Sequence, residues 1–125
     1  MYYLFFVAPP FFIQYPRPKI ESIERNSVTM TCRARGNPRP QIEWSKEGLP
    51  LALDPHYDVR PSGDLFIREV RMEDHGMYRC RATNRAGGVA ASTRLVVTGN
   101  YNKYEIKRAL NHKLLIFINF LLEKN

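Results

Sequence analysis

The sequence predicts an all-β fold, a two-sheet antiparallel sandwich, on three observations. Cys32 and Cys80 stand 48 positions apart, the single tryptophan, Trp44, follows the first by twelve, and Tyr78 precedes the second by two. Such a set suits the centre of a small sandwich: the indole fills the largest volume between the layers, and the phenol sends its ring inward and its hydroxyl back to a backbone group. Second, Val28 to Arg35 alternates with period two, with Val28, Met30, Cys32 and Ala34 inward and Thr29, Thr31, Arg33 and Arg35 outward. Third, Tyr57-Asp58-Val59-Arg60 and Leu65-Phe66-Ile67-Arg68 flank Pro61-Ser62-Gly63-Asp64, a hairpin signal.

In chain order, residues 1 to 8 form an apolar leader. It is short, has no lysine or arginine ahead of it and runs into Pro9-Pro10, so it reads as the start of a fragment rather than a secretory signal. Phe11 to Ile20 reads as an edge strand, where Pro16 and Pro18 need no ladder hydrogen bond and guard against stray pairing. After the Val28 strand, Gly36 to Pro40 turns the chain over, and Ile42, Trp44 and Lys46 share the next inward parity. Glu47-Gly48 makes a turn, and Leu49 to Pro55 is too irregular for another long strand. Leu65, Ile67 and Val70 face the core, leaving Phe66 and Arg68 outside. Asp74 to Gly76 forms a corner before the strand ending in Cys80 and Ala82. Asn84 to Gly88 turns into a last strand with Ala91, Thr93, Leu95 and Val97 inward and Ser92, Arg94 and Val96 pointing away.

Cys32, Gly36-Asn37-Pro38-Arg39-Pro40, Ile42, Trp44, Gly48, Leu65, Ile67, Asp74, Gly76, Tyr78, Cys80, Asn84 and Ala86-Gly87 together resemble the intermediate-set (I-set) immunoglobulin domain, over residues 9 to 98. The run around Asp54-Pro55 and Pro61 to Leu65 is similar to repeats in peroxidasin, leukocyte-antigen-related receptor phosphatases, and Roundabout or hemicentin-type proteins, without choosing between them. The resemblance implies one inter-sheet disulfide, Cys32 to Cys80, around a core signature of Trp44, Leu65, Asp74, Gly76 and Tyr78. Neither cysteine sits in a Cys-x-x-Cys pair or at zinc-ligand spacing from a histidine. A bridge of this span contributes about 4 kcal/mol in the chain-entropy model and implies an oxidising compartment, outside the cell or on its surface. Muscle-type I-set repeats work in reducing cytoplasm, which leaves a sarcomeric, structural role as the alternative. Where the family usually carries glycine before the Val28 strand, Arg25-Asn26 stands, and asparagine is the expected left-handed residue.

From Gly99 the character changes, and residues 99 to 125 read as a tail outside the sandwich, helical or disordered. Together with the first seven residues, it reads as the product of a truncated or mispredicted gene. Leu114 to Leu122 is apolar except for Asn119, about half of what a membrane span needs, and Leu110, Leu114 and Ile118 share one face of a helix. An amphipathic helix for a membrane surface or a partner is the functional reading of that stretch.

Nothing here reads as an enzyme. His56, His75 and His112 have no carboxylate or nucleophile at a convincing spacing, Asp74-His75 already serves a corner, and no glycine-rich phosphate loop or carboxylate cage is present. No cofactor or metal is expected. The net charge is +7, with thirteen arginines against six lysines, most of the arginines within the sandwich. Guanidinium suits planar oxyanions and protein interfaces. Arg33, Arg35 and Arg68 on one face, and Arg79, Arg81 and Arg94 on the other, are therefore the candidate binding surface. The expected partner is a protein, a second copy included, or a heparin-like glycosaminoglycan; no nucleic-acid motif accompanies the charge. The expectation is a non-catalytic adhesion or recognition module of a larger extracellular or cell-surface protein.

Overall fold

A computed structural model describes residues 6–100 and 102–123 of the chain. Ten strands precede one helix: β1 (Ala8–Gln14), β2 (Lys19–Ile23), β3 (Val28–Met30), β4 (Arg33–Asn37), β5 (Gln41–Lys46), β6 (Leu49–Pro50), β7 (Tyr57–Val59), β8 (Leu65–Ile67), β9 (Gly76–Asn84), β10 (Gly87–Thr98) and α1 (Lys103–Glu123). One layer has the order β2-β10-β9-β5-β6; facing it are β3-β8-β7 and the pair β1-β4. The Cys32–Cys80 disulfide joins the layers. The expected leader lies largely outside the described residues, and β1 begins at Ala8.

The expected edge strand from Phe11 to Ile20 is two strands in different layers. β1 pairs antiparallel with β4, whereas β2 runs parallel to β10, the one parallel pairing of the sandwich among the described residues. Pro16 and Pro18 stand in the crossing between them, where the backbone leaves one ladder before joining the next. The Val28 strand likewise breaks at Thr31-Cys32. There the Cys32 N–H donates to Asp64 Oδ1 at 3.0 Å instead of to a neighbouring strand.

The alternation predicts burial well. Met30, Cys32, Leu65, Ile67, Tyr78, Cys80 and Leu95 are wholly buried, with Val28, Val70, Val97 and Trp44 close behind. Trp44 registers opposite Cys80 on β9, and its indole N–H donates to the Gly63 carbonyl at 2.8 Å, so a large apolar ring is buried with its one polar atom satisfied. Gly63 is required there: at φ 99°, a Cβ would stand 2.6 Å from the Cys32 carbonyl oxygen.

Arg25, not the expected Asn26, takes the left-handed conformation, at φ 74°. Its N–H donates to the Val70 carbonyl while Asn26 accepts from the Val70 N–H, and this two-way tether folds the chain at Arg25. The tail from Gly99 contains the helix α1, outside the sandwich core. It starts on a reciprocal cap: Asn102 Oδ1 accepts from the Glu105 N–H at 2.8 Å, and the Asn102 N–H donates to Glu105 Oε2 at 3.1 Å.

Candidate binding surface

The corner before β9 gathers more polar chemistry than the sequence suggested. Tyr78 donates its hydroxyl to the Asp74 carbonyl at 2.7 Å, the backbone acceptor expected of a buried tyrosine at this position. The Asp74 carboxylate, itself buried, receives the Arg71 N–H at 2.8 Å, the Tyr57 hydroxyl at 2.5 Å and the His56 ring Nε2 at 2.8 Å. Sequence spacing offered no histidine a convincing carboxylate, and the fold supplies one from a distance: His56, eighteen positions away, closes on Asp74, while no contact of this kind joins adjacent His75 to it among the described residues. Burial pushes the Asp74 carboxyl up, but hydrogen bonds from Tyr57, the Arg71 N–H and His56 outweigh it and hold the group below its ordinary value. Burial, reinforced by the hydrogen bond to Asp74, pushes the Tyr57 hydroxyl up to about 12. Tyr57, Tyr78, His56 and the Arg71 N–H all converge on Asp74, so the cluster is a structural clasp. Gly76 follows at φ 150°, where a Cβ would press on Glu47.

The face built on β3, β4, β7 and β8 carries Arg33, Arg35 and Arg68. Arg33 donates to Asp64 Oδ2 at 3.0 Å, so this carboxylate brackets both the Cys32 N–H and the guanidinium. Burial pushes Asp64 up, but Arg33, the Cys32 N–H and Ser62 together hold it below the usual carboxylate range. Phe66 is half-buried between cations, with the Arg60 guanidinium 4.5 Å and that of Arg68 5.7 Å from its ring centre. Arg68 also donates to the Pro55 carbonyl, Arg60 meets Asp58 at 3.5 Å, and Arg39 donates to the Pro61 carbonyl. Of the three arginines predicted for this face, only Arg35 makes no polar contact among the described residues.

The opposite face is different. Along β9, Arg79 lies between Ser45 and Ser92, and Arg81 between Glu43 and Ala90; on β10, Arg94 lies between Met77 and Lys19. The side chains of these three form no ion pair or hydrogen bond among the described residues, although Glu43 is in register with Arg81. Arg79 and Arg81 border a groove of about 560 Å³ whose apolar lining includes Ile42, Trp44, Leu51, Leu53 and Val59. The groove exists because β6 has only two residues. It pairs with Ser45 and Lys46 alone, and leaves the rest of the β5 edge without a strand beside it. Leu49 and Leu53 stand 72% and 64% exposed nearby, large apolar side chains left wet. The structure therefore keeps the two halves of the predicted surface apart and employs them differently; the groove itself was not anticipated. Among the described residues no group of acids, histidines or cysteines is placed to hold a metal ion.

The chain is similar to protein turtle homolog B of Rattus norvegicus, 44% identical over 92 residues that cover 74% of this chain and 7% of that protein. Among solved structures, the first four immunoglobulin domains of Sidekick-1 match with a TM-score of 0.72 and 37% identity, over 74% of this chain and 25% of that one. The insect immune protein hemolin, whose structure is described as having implications for homophilic adhesion, matches with a TM-score of 0.69 and 33% identity, over 74% of this chain and 23% of that one. This chain thus spans a small part of each of these three. Residues 10–97 match the immunoglobulin I-set domain model, and the chain belongs to the immunoglobulin I-set family.

Proposed function

We propose that this chain is a non-catalytic binding module of a larger extracellular or cell-surface protein, and that a protein partner docks on the β5-β9-β10 face at the Arg79/Arg81 groove. The observation that carries this reading is the contrast in employment: Arg79 and Arg81 are unpaired beside an apolar groove, whereas Arg33 and Arg68 are engaged by their own chain. An apolar depression rimmed by free guanidinium groups has the make-up of an interface core with an arginine anchor. A second copy of the chain is the first partner to test, in keeping with hemolin's described link to homophilic adhesion. The unpaired cations also suit a sulfated glycosaminoglycan, through charge-assisted contacts that weaken with salt. The disulfide supports the oxidising compartment.

Three measurements test this. Sedimentation velocity over a rising concentration series is expected to show self-association that Arg79→Ala/Arg81→Ala removes. On immobilised heparin, Arg79→Ala/Arg81→Ala/Arg94→Ala is expected to elute at lower salt than Arg33→Ala/Arg35→Ala/Arg68→Ala. The reverse order would assign the face to β3-β8-β7, and a shared wild-type profile in both assays would remove both partners. Intact mass of material from its natural source, with and without reductant, is expected to differ by two hydrogens; a free thiol pair would instead point to the cytoplasmic, muscle-type role.

A further inference from the structure

The least explained element is α1, and it stands on observations separate from the binding face. All of its described side chains are exposed, including Leu114 at 57%, Phe117 at 56% and Leu122 at 67%. So much wet apolar surface on one regular element marks a site of contact. Its residues are ordered around the helix. Arg108, His112, Asn119 and Glu123 recur at helical spacing along one side, interrupted by Leu115 and Ile116, while Ile106, Leu110, Leu114, Phe117 and Leu121 run along the opposite side. Lys107 and Lys113 fall at the margins of the apolar side, where long cationic side chains can lay their stems on apolar surface and lift their charge to its rim. Glu105 is engaged in the N-terminal cap, so the first half of the helix presents mainly positive charge.

We propose that α1 is an interfacial membrane helix, lying in the plane of an anionic bilayer with Ile106, Leu110, Leu114, Phe117 and Leu121 in the acyl boundary. The charge that borders the apolar side selects an anionic bilayer over a protein groove or a second copy. Paired helices cover a narrow seam, here Ile106, Leu110, Leu114, Phe117 and Leu121, and that seam is shorter than the three or four heptads a coiled coil needs. Lys107 and Lys113 flank that seam and Arg108 stands on the opposite side, so anionic headgroups meet the cations while the acyl boundary takes the apolar side. No described helix is long and apolar enough to cross a membrane, which agrees with a helix that lies on the bilayer. α1 begins within five residues of the end of β10, so binding would hold the sandwich close to the bilayer.

The full chain is mixed with phosphatidylcholine vesicles, or with vesicles that also contain phosphatidylserine, and sedimented. Binding is expected only to the anionic vesicles, falling with added salt. Lys107→Glu/Arg108→Glu/Lys113→Glu should weaken it by at least about tenfold. Leu114→Glu/Phe117→Glu should do the same by removing apolar contact. Unchanged fluorescence of the lone Trp44, buried in the sandwich, would show that each variant keeps its domain folded. Equal binding to neutral vesicles, unchanged binding by either variant, no binding at all, or a stable oligomer that ignores vesicles would overturn the proposal.

Discussion

Arg33 and Arg81 are both strand arginines whose side chains leave the sandwich, yet they do different work. Arg33 lies against a carboxylate that also receives the Cys32 N–H, so its charge helps close the loop between β7 and β8 over the disulfide half of the core. Arg81 has Glu43 in register and still makes no ion pair; it borders a groove instead. The comparison extends to whole faces. Around β8 the cations are bound to Asp64, Asp58, Phe66 and the carbonyls of Pro55 and Pro61. Around β9 three arginines in register with serine, alanine or methionine have no such partner. An outward-pointing arginine is thus a structural brace on one face and an unspent contact on the other, and mutation separates the two.

The largest effect is expected where a brace is removed. Asp64→Ala leaves the buried Cys32 N–H without an acceptor and Arg33 without a partner, and should cost about 2 to 3 kcal/mol, mostly from the stranded donor. For a domain of this size that lowers Tm by roughly 15 °C. Asp64→Asn keeps an acceptor for the amide and loses only the ion pair, so it should cost about 1 kcal/mol. Thermal melts of the two variants measure this; equal and small losses would mean that Asp64 is no more than a surface charge.

Acid should loosen that face and the corner before β9. Asp64 and Asp74 are both held below their ordinary carboxylate values in the folded chain. A carboxyl whose folded value is lower than its unfolded one binds its proton more readily when the chain unfolds. Its stabilisation is therefore fully present above the unfolded value, about 3.9, and is lost as pH falls through the folded value. Urea unfolding between about pH 6 and pH 3 should show stability falling toward acid. The slope should be shallower in Asp64→Asn and in Asp74→Asn than in the parent chain. A parallel fall in all three would place the acid sensitivity elsewhere.

What was legible in the sequence divides along the same line. Period-two alternation predicts which side chains enter the core, and Cys32, Trp44, Tyr78 and Cys80 fix the centre, because those signals are local or are carried by a motif as a whole. Which arginine meets which carboxylate is not local. The Arg33–Asp64 and His56–Asp74 contacts join positions 31 and 18 apart, and depend on how two loops pass each other. The change of layer after β1 was hidden because prolines tell that a ladder ends without telling where the chain goes next. The irregularity of Leu49 to Pro55 told that no long strand follows β5, but not that the bare β5 edge opens a groove, which depends on how the strands beside it pack. One signal for α1 did stand in the sequence: Asn102 with Glu105 three positions on is the spacing of a reciprocal helix cap.

The smallest effect on stability is expected on the other face, and it is the sharpest test of the comparison. Arg79→Ala/Arg81→Ala removes two side chains that hold no partner of their own chain and whose strand positions point out of the core. Surface changes of this kind usually stay within about 0.5 kcal/mol, so the melting curve should hardly move. Binding should move far more, because truncating an arginine anchor at an interface costs about 2 kcal/mol or more, a loss of roughly thirtyfold in affinity. The pair of readings matters more than either alone. Lost binding with an unchanged melt identifies these arginines as contacts, whereas a melt lowered as far as that of Asp64→Ala would make them braces and erase the difference between the faces.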